Sequence, residues 1–445
     1  MTFDEGLMAP VTVGHDDTVT DAACLDALVT AEVALARAYA AVGAAPAEKV
    51  DALASALGWA DRGALCRGHG IDVRALAEAS VAGGNPVIPL VGLLAERVPE
   101  SARAWVHRGA TSQDVVDTAL MLVAREASAR VLASLREADT ALAAFAAAHR
   151  DEVAAARTLT QHAVPTTVGL RAATWRRGVR RAIARLSAVE LPAQLGGAGG
   201  TLASFVEIAG ASAAAALPAA FAAELGLSTP DAPWHTTRWP VTELGDALVQ
   251  TIDALGVIAA DVATLSRTEI GELAEGSGGG SSAMPQKQNP AASVLVRSAA
   301  LRAPQLGATL HLAAALAVDE RPDGAWHAEW PTLRELLRLA LGASANAASL
   351  VAGLRVDTDA VAANLALTNG LIVAERLSIV LAPLLGKARV SAIVAAAGRG
   401  EPLDGLVRAA VAEAGADLDI DALLDPANYT GLAARLTATP TKDAE

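Results

Sequence analysis

Apolar residues recur at helical intervals along most of this chain. From Asp114 to Arg150 there is no proline and no glycine, and a series that begins with Val115, Ala119 and Leu122 returns at roughly helical spacing. A single helix of that length extends for roughly 55 Å at about 1.5 Å per residue. Further stretches with few helix breakers cover residues 169–189, 241–270, 292–317 and 332–354. The pattern predicts an all-α protein with an elongated central helical bundle.

Helix breakers divide the chain at two places. Gly83, Gly84, Asn85 and Pro86 precede the long helices, and a glycine-rich run at 276–282 interrupts them. β-Branched alternation is rare, and no Asn-Gly turn joins two alternating runs, so strand signals are weak throughout. We therefore predict three parts: an N-terminal helical region (1–106), a central long-helix bundle (107–354) with a loop at 276–290, and a C-terminal helical region (355–445).

The composition agrees with helices and indicates a cytoplasmic protein. Apolar residues make up 53% of the chain but aromatic residues only 3%, so alanine, leucine and valine dominate, and alanine and leucine favour helices. The mean hydropathy of +0.36 would also suit a membrane protein. However, the most apolar stretch, at 208–223, is mostly alanine and contains Pro218, which favours packing between helices. Asp4 and Glu5 stand where a secretory signal needs positive charge, so we expect a cytoplasmic address.

The charge and the cysteines exclude several classes of partner and cofactor. The chain has 35 basic and 49 acidic residues, and the net charge of −14 argues against nucleic acid or an anionic membrane as a partner. Cys24 and Cys66 have no metal-ligand spacing and form no disulfide framework. The sequence contains no phosphate-binding loop, dinucleotide fingerprint or histidine-rich cluster, so we expect no cofactor and no metal.

The segment from Gly280 to Pro290 reads GSSAMPQKQNP. It resembles the G-S-S-x-M-P-x-K-x-N-P signature of the fumarase/aspartase superfamily at every fixed position. In that superfamily the first serine of the loop moves a proton next to a substrate carboxylate, and the resemblance assigns this role to Ser281. A plain glycine- and serine-rich linker is the alternative interpretation.

The residues around Ser281 suit this chemistry. A serine hydroxyl is a poor base unless donors stabilise its alkoxide, and a glycine-rich backbone lets N–H groups converge on that oxygen. Lys287 adds positive charge nearby, and Asn289 supplies neutral donors for a carboxylate. Ser282 can share the donor role. From the residues alone the two serines remain alternatives, and the resemblance favours Ser281.

A second match begins at His107 and reads HRGATSQDVVDT. It resembles the superfamily's G-x-T-S-x-D pattern, in which threonine and serine hydroxyls bind a substrate carboxylate at the start of a helix. The resemblance therefore implies Thr111 and Ser112 as ligands, with His107 as a further candidate. Alternatively, Ser112 followed by Asp114 is an ordinary helix cap. The two interpretations are compatible because helix N-termini favour anions.

The third match begins at Arg157 and reads RTLTQHAVPTT. It is similar to the region that reads R-T-H in fumarases and adenylosuccinate lyases, where the histidine is an acid or part of a proton relay. Here that position is Leu159. Thr158 and Gln161 remain candidate donors to the substrate, and His162 suits a substrate contact and a structural role equally well.

Leu159 narrows the resemblance to the carboxymuconate cycloisomerases, which have an apolar residue there. Four further segments are also similar to those enzymes: 83–87, 194–201, 233–236 and 326–331. The resemblance implies a cofactor-free intramolecular addition of a carboxylate to a double bond, as used in the protocatechuate branch of aromatic catabolism. It also implies a small polycarboxylate substrate and a homotetramer whose active sites are shared between subunits.

Two neutral residues in the loop are compatible with a substrate other than carboxymuconate. Gln286 and Gln288 occupy loop positions that are usually basic or imidazole-bearing in the cycloisomerases, and a substrate with three carboxylates favours cations nearby. Arg238 is a candidate for the compensating cation. The alternatives are a carbon–nitrogen or carbon–oxygen lyase for an aminosuccinate- or nitrosuccinate-like substrate, and a non-catalytic descendant. The last is disfavoured because Ser281, Lys287 and Asn289 occur together.

Overall fold

The computed structural model describes residues 5–276, 279–280, 284 and 287–438, and it is 67% helical, which confirms the all-α prediction. The helices in chain order are α1 (Asp21–Ala41), α2 (Ala47–Ala56), α3 (Val73–Gly83), α4 (Val87–Arg97), α5 (Ser112–Ala148), α6 (Val168–Ser187), α7 (Ala203–Ala209), α8 (Ala211–Leu225), α9 (Trp239–Leu265), α10 (Ala291–Ala315), α11 (Gly324–Ala352), α12 (Thr358–Ala366), α13 (Ala374–Leu385), α14 (Lys387–Gly398), α15 (Leu403–Glu413), α16 (Ile420–Leu424) and α17 (Ala433–Ala438). Short 3-10 helices lie at Pro10–Thr12, Asp17–Val19, Glu100–Trp105, Leu371–Val373 and Pro426–Tyr429. The strands are β1 (Val153–Thr158), β2 (Gln161–Thr167), β3 (Leu273–Ala274) and β4 (Arg355–Val356).

The five long helices coincide with the breaker-poor stretches of the sequence. The longest, α5, has 37 residues and begins two residues before the predicted start. The helices α6, α9, α10 and α11 have 20, 27, 25 and 29 residues. Pro304 and Pro331 lie inside α10 and α11, so neither proline ends its helix. Periodicity therefore predicted the helical segments to within a few residues, except at the start of α11.

The chain divides into two compact units. The first contains residues 1–134, 185–253 and 298–345, and the second contains residues 135–184, 254–297 and 346–445. Each unit is assembled from segments that are distant in sequence. This division is made on compactness, and the three regions expected from the sequence stay a prediction.

Helix α1 belongs to the first unit and is largely buried in it. It begins where the Thr20 hydroxyl accepts a hydrogen bond from the backbone N–H of Ala23 at 3.3 Å, a normal helix cap. Residues such as Val29, Val33 and Ala36 are completely buried, and α1 packs against α2, α3 and α8. A helix buried on nearly all sides provides a rigid support for the polar groups that it carries.

The second unit has its own apolar core. Val373, Leu377, Leu381 and Val407 are fully buried where the 3-10 helix before α13 packs with α13, α14 and α15. Ala155 of β1 belongs to the same cluster. The hairpin of β1 and β2 is therefore anchored on a packed core.

The β1–β2 hairpin, like the short β3–β4 pair, was not predicted from the sequence. Strands β1 and β2 pair antiparallel, and the turn between them consists of Leu159 and Thr160, with φ values of 49° and 70°. Two-residue hairpins favour this left-handed turn, but they normally place asparagine or glycine there. Neither signal is present, so the sequence pattern gave no hairpin prediction. Leu159 is 96% exposed at the tip.

Helix α9 is long and apolar enough, by length and composition, to cross a membrane, with a mean hydropathy of 1.5 in its most apolar window. Two bent helix pairs, α7 with α8 and α12 with the helix after it, also pass that test together. In α9, however, Leu244, Leu248, Ile252 and Leu255 recur at helical spacing and are fully buried in the protein. One apolar face of α9 is therefore buried against other parts of the protein.

Candidate active site

The loop before α5 is held by hydroxyl groups from two other helices. The Tyr39 hydroxyl on α1 donates to the carbonyl oxygen of Arg108 at 3.0 Å. The Ser204 hydroxyl on α7 donates to the carbonyl oxygen of Gly109 at 2.6 Å. Gly109 has φ +81°, and a side chain there would meet the Tyr39 hydroxyl and the ring of Phe205, so only glycine fits this close approach. The loop is thus preorganised.

Asp114 fixes the beginning of α5 from within. Its buried carboxylate accepts hydrogen bonds from the backbone N–H of Thr111 at 3.1 Å, of Gly196 at 2.8 Å and of Gly197 at 3.0 Å. The Nε2 of His235 donates to it as well, at 2.9 Å. An acidic side chain that binds the N–H group three residues earlier is half of a capping box. The cap position is therefore Thr111, and Ser112 is the first residue of the helix. The helix cap thus lies one residue before Ser112, the residue that the capping interpretation proposed.

A cation that the sequence analysis missed lies beside Thr111. The guanidinium of Arg321 donates to the Thr111 hydroxyl oxygen and, at 3.4 Å, to the carbonyl oxygen of Ala198. Arg321 belongs to the exposed loop between α10 and α11, outside the matched motifs. Together with the N-terminus of α5, it provides positive charge and a hydroxyl for a carboxylate. No local pattern marked this arginine, because its proximity to Thr111 is purely tertiary.

His107 lies at the start of the same loop. It is half-buried with φ +50°, and its ring is hydrogen-bonded to Glu32 on α1. The segment from His107 to Ser112 therefore carries an imidazole and two hydroxyls on a fixed backbone, next to Arg321. That Thr111, Ser112 and His107 bind a substrate carboxylate stays a prediction.

Arg238 is located in the interior of the first unit. Its side chain is fully buried. The guanidinium donates two hydrogen bonds to Asp117, at 2.7 and 3.0 Å, and three to Glu329, at 2.6 to 3.2 Å. The guanidinium also lies 4.8 Å from the ring of Trp234. The two carboxylates raise its pKa although burial acts to lower it. Because internal groups occupy these donors, the geometry gives Arg238 a structural role, and we leave it out of the proposed site as a correction to the sequence interpretation.

The hairpin carries the third group of predicted residues. Thr158 and Gln161 are a cross-strand pair beside the turn, both exposed. His162 is partly buried, and burial followed by the charge of Arg157 lowers its pKa. Its Nδ1 has no hydrogen-bond partner among the residues that the structure describes. A neutral imidazole with an unpartnered nitrogen suits a hydrogen bond to a ligand more than an ion pair.

Arg157 fixes the hairpin to the rest of the second unit. Its guanidinium donates to both oxygens of Glu272, at 2.5 and 3.1 Å, and Glu272 is 1% exposed. Asn364 donates to the same carboxylate at 3.0 Å. A bidentate, buried pair of this kind sets the orientation of the strand that ends at Thr158.

The predicted proton carrier Ser281, its neighbour Ser282 and Gln286 lie outside the described residues. Gly279, Gly280, Met284 and the residues from Lys287 onward are described. Gly279 and Asn289 exchange two backbone hydrogen bonds, at 2.9 and 2.8 Å, which close the two ends of the segment into a bridge.

A carboxylate supports the chain on both sides of this bridge. Glu275 accepts from the backbone N–H and the hydroxyl of Ser293, at 2.8 and 2.7 Å, at the start of α10. Lys287 is exposed and Asn289 is half-buried, and both lie at or close in sequence to the bridge between Gly279 and Asn289. The second unit therefore contains two groups of predicted site residues. Lys287 and Asn289 lie at the bridge that Glu275 stabilises, and Thr158, Gln161 and His162 lie on the hairpin.

Comparison with known proteins identifies the family. A lyase family model matches residues 15–304. The chain is 45% identical to a nitrosuccinate lyase of Streptomyces davaonensis, covering 97% of this chain and 93% of that protein. It is 40% identical to a 3-carboxy-cis,cis-muconate cycloisomerase of Pseudomonas aeruginosa, covering 93% and 90%. The crystal structure of the 3-carboxy-cis,cis-muconate lactonizing enzyme of Pseudomonas putida superposes with a TM-score of 0.83, at 35% identity over 93% of this chain and 92% of that one.

The chain therefore belongs to the lyase family, and it is an enzyme of the fumarase/aspartase superfamily. This confirms the family that the three motifs indicated. Its relatives include both a nitrosuccinate lyase and cycloisomerases, so family membership establishes the superfamily but not the individual reaction.

Proposed function

We propose that this enzyme eliminates a small anionic leaving group from a substituted succinate, with nitrosuccinate as substrate and fumarate and nitrite as products. The observation that carries the choice is the pair of Leu159 and Gln288. Leu159 is apolar where fumarases and adenylosuccinate lyases have a histidine, which argues against a leaving group that needs an acid. Gln288 is a neutral amide where the cycloisomerases usually have a basic or imidazole group, which argues against carboxymuconate. The 45% identity to a nitrosuccinate lyase supports the same choice.

The proposed reaction needs a base and a carboxylate site but no acid. Ser281 takes the proton from the carbon beside one carboxylate, and negative charge builds on that carboxylate. The bond between carbon and the nitro group then breaks, nitrite leaves with the electron pair, and the double bond of fumarate forms. Nitrite is a weak base and leaves without a proton, whereas an amine or hydroxide leaving group needs one. The absence of an acid at position 159 therefore does not slow this reaction.

The two carboxylates of the proposed substrate have suitable binding groups in this protein. Thr111 and Ser112 at the N-terminus of α5, with Arg321 beside them, would bind one carboxylate. Lys287 and Asn289 would stabilise the charge that develops in the transition state. His162, which burial favours in its neutral form, would contribute a hydrogen bond.

Cycloisomerisation of 3-carboxy-cis,cis-muconate is the second candidate. It is supported by the 40% identity to the cycloisomerases and by the resemblance of several segments to theirs. Its internal nucleophile is a carboxylate, which also needs no acid, since the ordinary pKa of a carboxyl group is about 4. The substrate has three carboxylates, however, so the neutral loop residues count against it.

One pair of assays separates the two reactions. The purified protein is mixed with nitrosuccinate, and nitrite is measured colorimetrically together with fumarate. In parallel, the loss of diene absorbance is followed with carboxymuconate. We expect nitrite and fumarate in equal amounts. Lactone formation without nitrite would establish the second candidate, and efficient fumarate production from aspartate, adenylosuccinate or malate would contradict both. Leu159→His is the matched control and should not create elimination from aspartate, because the other substrate contacts are unchanged.

We also infer that the enzyme is a cytoplasmic homotetramer whose active sites are shared between subunits. Helix α10 supports an assembly, because it exposes large apolar side chains: Val294 (54%), Leu301 (79%) and Leu312 (62%). Exposed apolar groups that follow one helix are typical of surfaces that are covered by another chain.

A further inference from the structure

Glu32 lies inside the first unit and holds His107 with both of its carboxylate oxygens. The Glu32 side chain is 2% exposed and that of His107 is 21% exposed. Oε2 accepts from the backbone N–H of His107 at 3.1 Å, and Oε1 accepts from the ring Nδ1 at 2.7 Å. One buried carboxylate thus fixes the backbone and the ring of the same residue, across 75 positions of sequence.

The backbone of His107 needs such support. Its φ of +50° lies in the left-handed region, where the Cβ of an ordinary residue approaches the neighbouring carbonyl oxygen. Non-glycine residues remain there only when the surroundings favour that conformation, and they are common at functional sites. The bonds from Tyr39 and Ser204 fix the next two residues, so the whole loop from His107 to Thr111 is anchored.

The charged groups facing the ring favour its protonated form. Burial alone lowers the pKa of His107, but the hydrogen bond and charge of Glu32 on α1, together with the charge of Asp114 on α5, outweigh burial and raise it above 6.5. Since Nδ1 donates to Glu32, the protonated ring keeps the N–H at Nε2 for another acceptor. Among the described residues, Nε2 has no hydrogen-bond partner.

We propose that Glu32 is a positioning residue, which holds a protonated His107 in its left-handed conformation so that the ring donates from Nε2 to a substrate carboxylate bound beside Thr111. The proposal rests on the proposed function, because it requires a dicarboxylate at this loop. Glu32 itself touches no substrate. It acts by setting the position and the charge of the residue that does.

Succinate is the probe for the test, because it carries two carboxylates and lacks a leaving group. Its dissociation constant is measured by calorimetry from about pH 6 to about pH 9, a range that spans histidine titration. The proteins are the full-length wild type, Glu32→Gln, His107→Gln and Glu224→Gln. Glu224 is the matched control, since it is equally buried at 2% and also binds α1, through Arg37 at 2.6 Å, but its partners are arginines.

We expect wild-type affinity to fall as the pH rises through the pKa of His107. Glu32→Gln lowers that pKa, so the fall moves to lower pH. At about pH 8 binding weakens roughly tenfold or more, the typical effect of losing a hydrogen bond from a charged donor. Near pH 6 the two proteins should bind within about threefold of each other. His107→Gln should bind weakly at every pH, and Glu224→Gln should keep the wild-type profile.

Three outcomes would overturn the proposal: a wild-type profile for Glu32→Gln, the same shift in Glu224→Gln, or no succinate binding by the wild type. Folding is checked by circular dichroism. If Glu32→Gln does not fold, His107→Gln decides, because wild-type pH dependence in that variant refutes the role of His107. Binding does not depend on turnover, so the expected profiles in a protein that releases no nitrite and forms no lactone would contradict the proposed function alone.

Discussion

Replacing Arg238 with methionine would leave two buried carboxylates without their cation. Asp117 and Glu329 are each bound by this guanidinium, and all three side chains are at most 1% exposed. Methionine preserves much of the volume and none of the charge. The perturbation therefore isolates the electrostatic contribution of Arg238 to the first unit.

The expected loss of stability is large. Removing one partner of a buried ion pair typically costs about 3–5 kcal/mol, because the charge that remains is desolvated and unpaired. For a unit of about 150–250 residues, this lowers Tm by on the order of 10 °C. An exposed pair is much weaker, at about 0–1 kcal/mol. Arg130→Met is the matched control, since Arg130 pairs with Asp17 at the surface, with side chains 52% and 66% exposed.

The loss should also depend on pH. Burial raises the pKa of Glu329, and Arg238 opposes that rise. In Arg238→Met the opposition is gone, so the folded protein binds a proton more tightly than the unfolded chain does. Stability then falls as the pH rises from the unfolded pKa towards the folded one. We expect the variant to be closer to the wild type at about pH 5 than at about pH 8.

Thermal and urea unfolding followed by circular dichroism measure this effect, with KM determined on the same preparations. A structural role predicts a large shift in the unfolding midpoint of Arg238→Met, a shift several times smaller in Arg130→Met, and little change in KM at a temperature where the variant is folded. The reasoning would be refuted by an Arg238→Met protein that unfolds like the wild type but has a strongly raised KM. That result would return Arg238 to the substrate site.

Three further predictions concern the proposed site. Ser281→Ala should reduce turnover by roughly 10² to 10⁴ without changing the circular dichroism spectrum, and near-normal turnover would mean that Ser282 or another group moves the proton. Inactive Thr111→Ala and Ser281→Ala subunits, mixed and reassembled, should regain partial activity, whereas verified mixed tetramers without activity would exclude shared sites. Arg321→Gln should raise KM by roughly tenfold or more, as expected for a lost charge-assisted hydrogen bond of about 1.5–3 kcal/mol, and an unchanged KM would show that Arg321 does not contact the substrate.

The long helices and the family could be read from the sequence because both signals are local. Helical periodicity follows from where apolar side chains fall on successive turns, so α5 and α9 were visible without knowledge of any neighbour. The segment at 280–290 was recognisable for a similar reason, since its residues are contiguous. The same locality explains why Thr111 and Lys287 could be proposed as ligands.

The roles of the charged residues were decided by tertiary structure. Arg238 and Arg321 look alike in sequence, but Arg238 meets Asp117 and Glu329, which lie 121 and 91 positions away, and Arg321 meets Thr111, which lies 210 positions away. Glu32 gained its partner His107 in the same way. Whether a charge is desolvated and paired inside the protein or available to a ligand depends on which distant segments pack around it. That information is absent from local patterns, because burial belongs to the folded arrangement of the chain and not to the residue itself.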